Sequence, residues 1–145
     1  MRKINSIIVH CTATKEGLDY PAETIRKWHK ARGFSDIGYH YVIHLSGTVE
    51  AGRAIDIAGA HCTGHNKNSI GIVYVGGLDS KCKPEDTRTA EQKQSLYKLI
   101  FELLEKYNLT VNDVYTHNYF NKFKACPCFS NEQLRDELNK YAKQK

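Results

Sequence analysis

A chain of 145 residues, 41% hydrophobic and 26% charged, has the size and balance of one globular domain. That balance excludes a disordered or fibrous chain, and no apolar run approaches the length of a membrane span. The net charge of +5 favours anionic partners, but the 21 lysines and arginines are dispersed with no run of five. A solvated surface is therefore expected, with neither a nucleic-acid patch nor a membrane-binding face.

Ile7-Ile8-Val9 reads as a buried strand ending at His10 and Cys11. After a polar loop, Pro21 opens a helix to Lys30, with Ile25 and Trp28-His29 on one side and Gly33 as its stop. Tyr39 to Leu45 has strand composition, and Ser46-Gly47 turns it back into Thr48-Val49-Glu50. Ser69 to Val75 is a further strand closed by Gly76-Gly77. Thr89 to Gln92 fits a capping box, followed by Leu96, Leu99, Ile100, Leu103, Leu104 and Tyr107 at helical spacing. Asp113 to Thr116 reads as a short strand delivering His117, and Ser130 to Gln133 fits a second capping box opening a last helix. No repeat, linker or low-complexity tract divides the chain. The expectation is one α/β domain over 1–145, a mixed central sheet flanked by helices.

Five cysteines at irregular spacing argue against a disulfide framework and for folding in a reducing compartment. Ile4 to His10 is too short and too polar for a secretory signal. Cytoplasmic synthesis is expected, with delivery by another factor if the substrate lies outside.

The segment from His117 to Phe129 carries the chemistry. It holds an imidazole, Lys124 and the thiol of Cys126, and His10 stands at the end of the first strand. Two histidines and a cysteine can bind zinc and leave its fourth position open for water, which is the layout of a hydrolytic centre. In an α/β domain such a site sits at the rim formed by strand ends. From spacing alone, surface histidines and a buried free cysteine stand as the alternative. A second thiolate from Cys128 would close the site, so Cys128 reads as packing. His40 and His44 read as packing or groove lining, His29 and His65 as surface residues. Gly76-Gly77 is a loop and no phosphate site, because no GKS/T follows.

Four stretches resemble the zinc-dependent N-acetylmuramoyl-L-alanine amidases of type 2, the family that includes phage lysozyme-amidases and peptidoglycan recognition proteins. They are Ile8-Val9-His10-Cys11-Thr12-Ala13-Thr14; Gly38-Tyr39-His40-Tyr41-Val42-Ile43 with Gly47 to Arg53; His61 with Asn68-Ser69-Ile70-Gly71-Ile72; and Lys124-Ala125-Cys126-Pro127. They occur in the family's order and span most of the chain from Ile7 to Phe129.

The resemblance implies one zinc ion on His10, His117 and Cys126. It implies catalytic positions at Tyr39 and Lys124, and substrate contacts at His61, Asn68 and Ser69. The reaction it implies is hydrolysis of the amide between the lactyl group of N-acetylmuramic acid and L-alanine in bacterial peptidoglycan, by a monomer. Two departures stand out. Asn118 to Phe123 lacks the charged pair that many relatives carry after the histidine, and the extension ahead of the first strand is nearly absent. Two other functions remain: a module that binds peptidoglycan without cutting it, and a cysteine hydrolase with Cys126 as nucleophile. A copper electron-transfer site lacks its usual axial methionine, because Met1 is the only one.

Overall fold

The computed structural model describes residues 2–144. Its strands are β1 (Ser6–Cys11), β2 (Thr14–Lys15), β3 (Tyr41–Ile43), β4 (Val49–Ala51), β5 (Ser69–Tyr74), β6 (Gly77–Leu78) and β7 (Val114–Thr116). Its helices are α1 (Ala22–Ala31), α2 (Ala90–Tyr107), the four-residue α3 (His117–Phe120) and α4 (Asn131–Lys143). The main sheet has the order β4-β3-β5-β1-β7, parallel throughout except for β4, which returns antiparallel to β3 through the Ser46-Gly47 turn. β2 and β6 form a small separate pair.

Successive strand side chains point to opposite faces. Ile7, Val9 and Cys11 of β1 and Ile70, Ile72 and Tyr74 of β5 therefore share one core with Leu96, Ile100, Leu103, Leu134 and Leu138 of α2 and α4. Val42, Val73 and Val75 point the other way and pack with Ala22 and Ile25 of α1. The Gln92 side chain pins α2 to the sheet by donating to the Ile43 and Val75 carbonyls.

The capping box of Thr89 and Gln92 forms reciprocally. At α4 only half of the expected box exists: the Ser130 hydroxyl accepts from the Gln133 N–H, while the Gln133 side chain donates to Glu137. The strand expected from Tyr39 to Leu45 is shorter, because Tyr39 and His40 precede the paired residues of β3. Asp113 belongs to a 3₁₀ turn (Val111–Asp113), not to β7.

Helix α1 corrects two expectations. Its buried side carries Ile25 and His29, spaced one turn apart, and leaves Trp28 38% exposed against Tyr20. A shift of one residue turns a side chain about 100° around the helix, which moves Trp28 off the core side. His29 lies buried and accepts the Gly38 N–H through Nδ1 at 2.8 Å. The α1 N-terminus lacks a local side-chain cap, and Glu50 of β4 supplies one by accepting from the Ala22 N–H.

Candidate metal centre and cleft

β1 and β7 are parallel neighbours, with Val9 opposite Thr116. His10 near the end of one and His117 just beyond the other are therefore brought together at the C-terminal rim of the sheet. Their Nδ1 atoms lie 3.1 Å apart. The loop after α3 brings in the third group: the Cys126 Sγ lies 3.9 Å from His10 Nδ1. One ligand atom from each of the three falls within 4.8 Å of the others.

That loop is held on both sides. The Asn118 amide donates to the Ala125 and Phe129 carbonyls, and the buried Tyr74 hydroxyl donates to the Pro127 carbonyl. Phe129 is buried beneath the Arg88 guanidinium, which itself pairs with Asp86 and Glu137.

Zinc fits this donor set. Bonds of about 2.0–2.1 Å to nitrogen and about 2.3 Å to sulfur give tetrahedral edges of about 3.4 Å and about 3.6 Å. The observed 3.1 and 3.9 Å bracket those edges. Burial, and next the neighbouring His61 and His117, hold His10 well below the usual histidine range. Burial and the Lys124 charge also lower His117. Both imidazoles are thus neutral at physiological pH, the form that offers a lone pair to a metal. The Cys11 N–H donates to Cys126 Sγ at 3.1 Å and helps hold the sulfur beside His10.

Cys128 stands apart from the ligands. Its thiol donates to the Gly77 carbonyl, and contact with Cys11 followed by burial raises its pKa, so it stays protonated. Cys11 is likewise pushed up to about 12, first by its contact with Cys126.

His10 is buried and outside the lining, while His117 and Cys126 line a cleft of about 740 Å³ whose walls also include Tyr39, His61 and Lys124. That is the size of a pocket for a small ligand or one segment of a polymer. The Tyr39 ring packs 5.2 Å from that of His10, and burial pushes its hydroxyl up so that it remains a proton donor. Lys124 is exposed at the rim. Arg32, Phe34, Phe120 and Asn121 also line the cleft. The sequence gives no signal for them, since the loops that bring them together carry no periodicity.

The proposed substrate contacts separate. His61 borders the cleft but is buried against His10. Ser69 has no exposed surface, and its hydroxyl is committed to the His65 carbonyl and to His61. Asn68 lies outside the cleft lining and donates to the Lys3 carbonyl. His40 is buried packing that accepts from the Gly71 N–H, and exposed His65 stacks on Phe120.

Residues 1–129 match the N-acetylmuramoyl-L-alanine amidase family. The chain is 45% identical to the endolysin of Escherichia phage T7 over 125 residues, 86% of this chain and 81% of the relative. It is 43% identical to the endolysin of Klebsiella phage KP32 over 128 residues, 88% of this chain and 83% of the relative. Among solved structures, the N-acetylmuramoyl-L-alanine amidase LysC from Clostridium intestinale superposes with a TM-score of 0.79 at 31% identity, covering 95% of this chain and 87% of that one. Bumblebee PGRP-SA superposes with a TM-score of 0.75 at 26% identity, covering 94% and 83%. A sheet rim that brings two imidazoles and a cysteine sulfur together beside a cleft agrees with those likenesses, and the chain belongs to the N-acetylmuramoyl-L-alanine amidase family of cell-wall-lytic enzymes.

Proposed function

We propose that the chain hydrolyses the amide between the lactyl group of N-acetylmuramic acid and L-alanine in bacterial peptidoglycan, with one zinc ion held by His10, His117 and Cys126. The convergence of those three side chains from β1, the start of α3 and the 121–130 loop carries the reading. When bound, zinc supplies Lewis acidity and lowers the pKa of water to near neutrality.

The protein's own groups do the rest. His10, His117 and Cys126 would hold the ion with one face open to the cleft that His117 and Cys126 line. The Lys124 ammonium at the rim stabilises negative charge that develops on the amide oxygen. The Tyr39 hydroxyl, protonated and beside His10, hydrogen-bonds the attacking water and relays its proton, taking that proton up as it passes its own toward the leaving nitrogen. The cleft admits the glycan-linked end of a stem peptide, and the endolysin relatives support action on the cell wall during phage lysis.

Mass analysis of products from purified peptidoglycan tests the reaction. Free lactyl ends and peptides beginning with L-alanine are expected, with loss on chelation and recovery with zinc. Full activity in the zinc-free protein would sink the metal reading and leave Cys126 as a nucleophile; binding without products would make the domain a recognition module.

A further inference from the structure

His61 is 8% exposed and His10 1%, yet both are polar and both must place their ring protons. His10 Nδ1 faces His117 and Cys126, so its lone pair is needed there and its hydrogen belongs on Nε2. His10 Nε2 lies 2.8 Å from His61 Nδ1. His61 must then accept at Nδ1 and carry its own hydrogen on Nε2, which lies 3.2 Å from the Ser69 hydroxyl. Ser69 donates its hydrogen to the His65 carbonyl at 2.7 Å, so it has a lone pair left for His61. Every proton in the row has one position.

The seat of the His61 ring is equally defined. A Cβ on Gly71 of β5 would lie 2.6 Å from the His61 ring, and one on Gly59 would lie 2.6 Å from its Cδ2. Only residues without side chains let the ring lie there. The His61 and Cys62 N–H groups both donate to the Asn66 side-chain oxygen at 2.9 Å, which fixes the backbone from the other side.

We infer that His61 is a positioning residue for the metal centre. Seated on Gly59 and Gly71 and held by Ser69, it accepts the Nε2–H of His10 and so aims the Nδ1 lone pair of His10 at the metal. The inference rests on zinc being held by His10, His117 and Cys126. A carboxylate or backbone carbonyl usually fills this outer position. Here a neutral imidazole does, relaying the bond to a serine.

The test compares zinc affinity, by competition with a chromophoric chelator, for the parent and for His61→Ala, His61→Asn and Ser69→Ala. Circular dichroism and thermal melting accompany each variant. His61→Ala leaves the His10 Nε2–H without its acceptor and is expected to weaken zinc binding roughly 10–100-fold. His61→Asn places an amide oxygen near the position of Nδ1 and should restore most of that loss, which a purely space-filling role would not require. Ser69→Ala should give a smaller loss. A folded His61→Ala that binds zinc as the parent does, or a folded His61→Asn no better than His61→Ala, overturns the inference.

Nitrogen-15 spectra of the zinc-loaded parent decide the matter even if the variants fail to fold. His61 must be protonated on Nε2 and bare on Nδ1, and the opposite tautomer overturns the proposal. A parent that binds no zinc overturns the metal reading and this inference with it. A parent that binds one zinc while His61 proves indifferent overturns this inference alone.

Discussion

On the face covered by α2 and α4, strands β1 and β5 place Ile7, Val9, Ile70, Ile72 and Tyr74. On the opposite face the same strands place His10, Ser69 and Gly71, the first an intended ligand and the other two the support of His61. One face is apolar and filled by helices. The other, toward its C-terminal rim, is a buried layer of hydrogen-bonded imidazoles (His10, His40 and His61). The comparison teaches that stability and chemistry are divided by the alternation of a strand, residue by residue, within the same six positions. Burial serves both faces: it excludes water from the aliphatic side chains on one and keeps the histidines neutral on the other.

The sharpest way to break the comparison is to remove a proposed ligand of the metal that the histidine face supports. Cys126→Ser should lose zinc by metal analysis and, with it, on the order of 10³-fold or more in muropeptide release, several kcal/mol of barrier. The fold should persist at 25 °C, because Cys126 is only partly buried against the apolar core and serine is nearly the same size. The converse variant, Ile100→Ala, opens a cavity beneath the sheet and should cost about 2–5 kcal/mol of stability by denaturant titration. Its folded fraction should keep the parent's zinc and turnover; a large fall in zinc affinity would show that the two faces are energetically coupled.

Lys124→Ala tests the rim. Zinc should remain and turnover should fall about 10²–10³-fold, or about 2.7–4 kcal/mol, the range for losing an oxyanion donor. Turnover at the parent's rate would remove Lys124 from the chemistry.

The smallest effect is the pH dependence of melting. Burial holds His29 and His40 at about 4, below the value for an unfolded chain. The unfolded state then binds more protons between about 4 and 6.5, so stability should fall as pH drops through that window and be unaffected by these groups above it. His29→Asn keeps an acceptor for the Gly38 N–H and should shrink the acid loss. His44 has the opposite sign. Burial opposes its charge, but Glu50 and Asp19 outweigh it and raise its pKa. Its contribution is complete below the ordinary histidine value and disappears as pH rises through the raised one. His44→Gln should flatten the alkaline side alone.

Much of this was legible in the sequence where one local pattern decides. The Ile7-Ile8-Val9 and Ser69 to Val75 runs, the turn at Ser46-Gly47 and the capping box at Thr89 each form as their composition predicts. The helical face of α1 was legible in principle, since Ile25 and His29 share a spacing of four, but hydrophobicity favoured Trp28 and placed His29 outside. His61, Asn68 and Ser69 show the harder limit. Their proximity in the chain is visible, but which of them faces the cleft depends on the pleat of β5 and on what lies across it.

The sequence by itself determined the longer strands and helices, the candidate donors His10, His117 and Cys126, and the family to which their surrounding stretches belong. Only the tertiary structure decided that β7 lies beside β1, and so that residues 107 positions apart have nitrogens 3.1 Å apart. It also decided that His61 supports His10 from behind while Ser69 is sealed from the cleft. The physical reason is that helix caps, turns and strand periodicity arise from contacts within a few residues. A metal centre and its outer hydrogen bonds arise from strand order and side-chain direction, which exist only once the sheet has assembled.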